Sequence, residues 1–186
     1  MLLAGGRSVR MGRDKAALDW NGVSLLQHMK ALLARSGADP VWVGGGGYDL
    51  PDLMANAGPV SSLCALAAAV AAGGLPANWL ITPVDMPLLT PGMLRRLLAD
   101  GGQAAHFAGQ PLPLRLRFDE AALAATAAIA ARLKAGESVA IHALLDALET
   151  RALPATPDDA ARLVGANSEA EFAALRKLQP ELPSTE

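Results

Sequence analysis

Short apolar runs alternate with helix-length stretches along almost the whole chain, and this alternation narrows the fold more than any other feature. Met1–Ala4 reads as a short strand that enters a Gly/Arg-rich loop reaching Lys15. Leu25–Ala34 reads as a helix, because Leu25, Leu26, Met29, Leu32 and Leu33 make one apolar face. Pro40–Val43 is a short strand before four consecutive glycines. Ser61 or Ser62 would cap a helix running to about Ala72, closed by Gly73-Gly74. Trp79–Val84 is a buried-type strand with Asp85 at its end, and Thr90-Pro91 starts a helix that ends near Asp100. Ala104–Ala108 and Leu112–Phe118 pair as strands. Helices at about Asp119–Lys134 and Ser138–Leu148, a strand near Arg151–Pro154 and a helix from Ser168 to Leu178 complete the chain. Such a series predicts an α/β three-layer domain around a mostly parallel central sheet. Ligands of these sheets bind beyond the carboxyl ends of the strands, so the loop after Ala4, the glycines after Val43, and Asp85 are expected on one rim.

The 186 residues, 52% of them hydrophobic and 18% charged, suit one compact domain, expected over 1–180 with a flexible tail at 181–186. A net charge of −2 leaves no electrostatic footprint for nucleic acid or an anionic membrane. No apolar run approaches the roughly 20 residues that span a bilayer. No secretory signal is visible, so a cytoplasmic enzyme is expected. One cysteine, Cys64, excludes an internal disulfide and a CxxC metal site, and it reads as a small core residue. His28, His106 and His142 are scattered without ligand spacing, so zinc is not expected.

The densest chemistry lies in Leu2-Leu3-Ala4-Gly5-Gly6-Arg7-Ser8-Val9-Arg10-Met11-Gly12-Arg13-Asp14-Lys15. Gly5, Gly6 and Gly12 let backbone N–H groups approach an anion, and Arg7, Arg10, Arg13 and Lys15 concentrate positive charge. A loop built this way suits a polyphosphate. It is neither a Walker A loop nor a GxGxxG fingerprint. Asp85, a carboxylate at a strand end between Pro83 and Pro87, is a sensible Mg²⁺ ligand, since Mg²⁺ takes one or two protein carboxylates and fills its octahedron with phosphates and waters.

The same segment resembles the LAGGxSxRMGxDK signature of the molybdenum cofactor guanylyltransferases, the MobA family of nucleotidyltransferases. Gly58-Pro59, Pro83-Val84-Asp85-Met86-Pro87, Gly136-Glu137-Ser138 with Leu144-Leu145, and Asn167-Ser168-Glu169-Ala170-Glu171-Phe172 follow in the order that family has. The resemblance implies a three-layer Rossmann-like nucleotidyltransferase fold. It implies that Leu3, Ala4, Gly5 and Gly6 contact the nucleotide, that Lys15 binds its phosphates with Arg7 or Arg10 beside it, and that Asp85 holds Mg²⁺. The activity implied is transfer of GMP from GTP to Mo-molybdopterin with release of pyrophosphate. Transient contact with molybdoenzyme chaperones or other cofactor-biosynthesis proteins would accompany it. A cytidylyltransferase or another small nucleotidyltransferase, and a catalytically inactive nucleotide-binding adaptor, are the alternatives.

Three departures from the family's pattern stand out, beside one loose match. Gly44 takes the position of a base-contacting Asn and has no side chain to read a base. Asp52 is the nearest match to the family's base- or ribose-contacting Asp, although an exposed loop carboxylate is its simpler reading. In Gly58-Pro59-Val60-Ser61-Ser62 the family's second glycine is a serine, whose Cβ is expected to crowd the nucleotide unless the loop shifts. The first strand is short, which predicts weak pairing and either a start upstream of Met1, the favoured reading, or a compromised protein. Asn167 is placed either to assist the metal or to cap the last helix. Arg115 and Arg117 alternate with leucines, as on the solvated face of an edge strand or a strand facing a pterin phosphate.

Overall fold

Adjacent leucines of the first strand point to opposite sides of a sheet, and each side carries its own helices. A computed structural model describes residues 1–5, 14–55 and 57–178; Gly6, Arg7, Arg10 and the 181–186 tail lie outside the described residues. In chain order the elements are β1 (Leu2–Leu3), a 3₁₀ turn (Lys15–Ala17), β2 (Asp19–Trp20), β3 (Val23–Ser24), α1 (Leu25–Arg35), β4 (Val43–Gly44), α2 (Pro59–Ala71) and β5 (Asn78–Pro83). There follow α3 (Pro91–Leu98), β6 (Ala104–Phe107), β7 (Leu114–Arg117), α4 (Glu120–Lys134), α5 (His142–Leu145), β8 (Thr150–Leu153), α6 (Pro157–Arg162) and α7 (Glu169–Leu178).

The central sheet has the order β4-β1-β5-β7-β6-β8. β7 alone runs against its neighbours, and the remaining pairs are parallel. Leu3 and Ile81 pack on one face with Val60, Leu63 and Leu66 of α2 and Ile129 and Leu133 of α4. Leu2 and Leu80 pack on the other with Met29 and Leu32 of α1, Leu94 and Leu97 of α3, and Phe172 and Leu175 of α7. This is the predicted three-layer arrangement, with side chains alternating across the sheet at strand period.

The short first strand is paired on both edges, contrary to the expectation of weak pairing. The amides of Leu2 and Ala4 donate to Trp42 and Gly44 at 2.8 and 2.9 Å, and those of Thr82 and Val84 donate to Met1 and Leu3 at 3.0 and 2.9 Å. Flanked in this way, two residues suffice for a central position.

Several local expectations are corrected. α2 begins at Pro59, on Gly58 with φ 78°, so Ser61 and Ser62 lie inside the helix and cap nothing. Proline at the first helical position after a glycine outcompetes a serine cap two residues later. The strand expected at 40–43 is confined to Val43–Gly44, and the helix expected at 138–148 shrinks to α5. The β2–β3 hairpin and α6 were not anticipated from apolar periodicity, because both are too short to show it. A capping box of Thr156 and Asp159 marks α6.

Arg115 and Arg117 are neither on an edge nor near the ligand rim. β7 lies inside the sheet, and its reversed direction sets Arg117 opposite Asn78, at the start of β5. Arg115 is buried and donates to the carbonyls of Gly102 and Gln103 and to Asn78 Oδ1, while Arg117 pairs with Asp119. Cys64 is buried with its Sγ on the Thr126 carbonyl, and burial pushes its thiol pKa up to about 11, so it is a core residue as expected. Among the described residues no helix is long and apolar enough to cross a membrane.

Candidate active site

The parallel strands β4, β1 and β5 end on the same rim, where Gly45, Gly5 and Asp85 follow them. Lys15 reaches this rim from the 3₁₀ turn, which Asp14 caps by accepting the Ala16 amide at 3.0 Å. The second oxygen of Asp14 accepts the Tyr48 hydroxyl at 2.8 Å. Burial, together with the Asp14 carboxylate, pushes the Tyr48 pKa up to about 12, so the phenol stays a donor at neutral pH. Tyr48 was missed at the sequence level. Its signal was a lone tyrosine after a glycine run, in reach of the Asp-Lys pair only once the chain folds.

Lys15 Nζ is surrounded by three oxygens. It donates to Asp85 Oδ2 at 3.2 Å, to Asn167 Oδ1 at 3.1 Å and to the Ala166 carbonyl at 2.9 Å. The segment before α7 is laid against Asp85 by the Ala166 amide, which donates to the Asp85 carbonyl at 3.0 Å. Ser168 Oγ accepts the Glu171 amide, and the Glu171 carboxylate accepts the Asn167 amide at 2.6 Å. The start of α7 is therefore closed by Ser168 and Glu171, which leaves the Asn167 side chain for the site. Three residues distant in sequence, Lys15, Asp85 and Asn167, converge here. The oxygens are hard donors of the kind Mg²⁺ prefers, and they already enclose a cation.

Gly44 is buried in β4, where its carbonyl accepts the amides of Ala4 and Gly5 at 2.9 and 3.2 Å. A Cβ on Gly44 would meet Met1 Sδ at 3.0 Å, so this position faces the sheet interior. Its neighbour Gly45 is bound more tightly to being glycine. Its φ is 134°, and a Cβ there would come within 2.5 Å of the Gly5 nitrogen. Gly45→Ala is accordingly expected to lower stability by about 2 kcal/mol or more, through strain and backbone displacement together. Thermal unfolding of the variant checks this.

Asp52 is half-buried and bonded, which corrects its reading as an exposed loop carboxylate. Ser62 Oγ donates to its Oδ1, and a Cβ on Gly5 would lie 2.8 Å from its Oδ2. Ser62 is 2% exposed, with its side chain beneath Asp52. Its hydroxyl is thus turned to the Asp52 carboxylate. Leu3 is buried between β4 and β5, Ala4 and Gly5 lie on the rim beside Gly45, and Gly6, Arg7 and Arg10 are outside the described residues.

A mostly parallel α/β sheet with glycines, a lysine and a strand-end carboxylate on one rim is an arrangement that suits a nucleotidyltransferase. Solved structures agree on the fold. Molybdopterin-guanine dinucleotide biosynthesis protein A from Archaeoglobus fulgidus superposes with a TM-score of 0.69 at 14% identity over 97% of each chain. The 2-C-methyl-D-erythritol 4-phosphate cytidylyltransferase from Thermus thermophilus gives 0.62 at 17% identity, over 96% of this chain and 97% of that one. The sequence is more specific. The family model for the MobA-like NTP transferase domain matches residues 1–150, and the chain belongs to that family. A molybdenum cofactor guanylyltransferase from Xanthomonas euvesicatoria is 36% identical, with 97% of this chain and 95% of that protein covered.

Proposed function

We propose that this chain transfers GMP from GTP to the terminal phosphate of Mo-molybdopterin, releasing pyrophosphate and forming molybdopterin guanine dinucleotide. The observation that carries this reading is the near full-length likeness to a relative named a molybdenum cofactor guanylyltransferase. The rim cluster of Lys15, Asp85 and Asn167 supports it, because the chemistry needs cationic and metal-binding groups and no protein nucleophile.

A pterin phosphate oxygen attacks the α-phosphorus in line with the departing pyrophosphate. Such a transfer depends on positioning and charge stabilisation. Lys15, with Arg7 or Arg10 of the glycine loop, neutralises charge developing on the pyrophosphate. The backbone of Leu3, Ala4, Gly5 and Gly6 cradles the nucleotide, and Asp52 takes its nucleoside half. Asp85 and Asn167 would hold Mg²⁺, for which their oxygens and the Ala166 carbonyl are a fitting donor set. When bound, the metal would supply positive charge to offset the negative charge developing on the reacting phosphates.

The test is to incubate the protein with Mg²⁺, Mo-molybdopterin and GTP, CTP, ATP or UTP separately, and to identify the dinucleotide by chromatography. Product with GTP alone is expected. Product with CTP would move the chain to cytidylyl transfer, and nucleotide binding without product would mark it as an inactive binder.

A further inference from the structure

Two adjacent serines of α2 hold the segment that carries Asp52, and they hold different parts of it. Ser61 fixes the backbone. Its Oγ accepts the Met54 amide at 2.7 Å and donates to the Met54 carbonyl at 2.9 Å, and its own carbonyl accepts the Leu53 amide at 3.4 Å. Ser62 touches the side chain, donating to Asp52 Oδ1. We propose that Ser62 is a positioning residue, which turns the Asp52 carboxylate so that Oδ2 faces the nucleoside half of the bound nucleotide. This rests on the guanylyltransferase reading above.

The geometry separates the two serines. With residues 53 and 54 already pinned by Ser61, the Ser62 bond is not needed to keep the loop in place. What it removes is rotation of one carboxylate. Oδ2 is then left above Gly5, at the end of β1, 2.8 Å from where a Cβ would stand. An ionised carboxylate only accepts hydrogen bonds, so the partner of Oδ2 must be an N–H or O–H donor. The nucleoside offers both kinds, on the amide and amine edge of guanine and on the ribose hydroxyls. Position 44 faces the sheet interior and carries no side chain, so Gly44 offers no side-chain acceptor beside Oδ2. An acceptor held in its bound orientation avoids the ordering cost that a free one meets on binding. Its loss therefore weakens nucleotide binding and leaves the transfer step itself largely alone.

A double-mutant cycle tests this through pyrophosphate release at varied GTP, with Ser62→Ala, Asp52→Ala and the two combined. Ser62→Ala is expected to raise KM for GTP about fivefold, the size of one ordinary net hydrogen bond, with kcat within about twofold. Asp52→Ala should raise KM at least as much, and adding Ser62→Ala to it should change nothing further. An unchanged KM in Ser62→Ala, or a double variant worse than Asp52→Ala by the full Ser62 factor, would overturn the proposal. Should Ser62→Ala fold poorly, Ser62→Cys keeps the volume and weakens the donor, and it is expected to show the same KM rise.

Analogues then tell base from ribose. ITP and N1-methyl-GTP remove donors of the base edge, and 2′,3′-dideoxyGTP removes the ribose hydroxyls. The Ser62→Ala factor should fall towards one with whichever analogue lacks the donor that Asp52 accepts, and a factor unchanged with all three would count against the role. If the wild-type chain uses another nucleotide, the guanylyl reading falls, and the cycle run with that nucleotide still decides for or against Ser62.

Discussion

Asp85→Ala is expected to lower GMP transfer by about a hundredfold, since one well-placed electrostatic group contributes roughly 3 kcal/mol to such a step. The fold should survive the change. It is the Asp85 backbone carbonyl that accepts the Ala166 amide, and the Lys15–Asp85 pair is partly exposed, the kind of ion pair that adds little to stability. A thermal midpoint close to wild type, measured beside turnover, would show that the loss is chemical. Mn²⁺ binding to the nucleotide-free variant, read by electron paramagnetic resonance, should weaken as well. Near-normal turnover would remove Asp85 from the site.

Lys15→Met should also lower turnover at least tenfold, by taking away charge opposite the pyrophosphate. Its effect on metal binding should have the opposite sign. In the nucleotide-free protein the ammonium occupies the centre of three oxygens, from Asp85, Asn167 and Ala166. A divalent cation entering the same oxygens must displace it or accept its repulsion. Removing the charge while keeping an apolar side chain of similar length is therefore expected to tighten Mn²⁺ binding without nucleotide. Turnover that falls together with weaker Mn²⁺ binding would show that Lys15 builds the metal's surroundings and does not compete for them. The two substitutions thus form a pair, both damaging to catalysis and opposite in metal affinity.

Much of this architecture could be read from the chain before folding. The alternation of apolar runs gave the layers, and the rule that ligands sit beyond strand carboxyl ends brought Gly5, the 44–47 glycines and Asp85 to one rim. The Ala-Gly-Gly and Asp-Lys residues pointed to the family that the sequence comparison then identified. What escaped had physical causes. The direction of β7 is set by pairing with β5 across a long separation in sequence, and no local pattern of Leu114–Arg117 records it. Without that direction, Arg115 and Arg117 could be placed on the wrong rim. Ser61 and Ser62 looked like caps because hydroxyls start helices, yet their partners, Met54 and Asp52, come from a loop packed against the helix side. Tyr48 and Asp14 meet only because the glycines after β4 curl back over the turn that carries Lys15. Side-chain partners far apart in sequence were the part that periodicity and motif could not supply.

The position of Lys15 also gives the site an order of filling. One ammonium ties together the turn after the glycine loop, the end of β5 and the approach to α7. A polyphosphate that draws this lysine to itself undoes a tie to both other segments in the same motion. The Ala166 amide on the Asp85 carbonyl and the Asn167 amide on Glu171 still hold the 165–167 stretch when that tie is released. Arrival of the nucleotide is thus expected to free the Asp85 and Asn167 oxygens for a cation without loosening the segment that carries them.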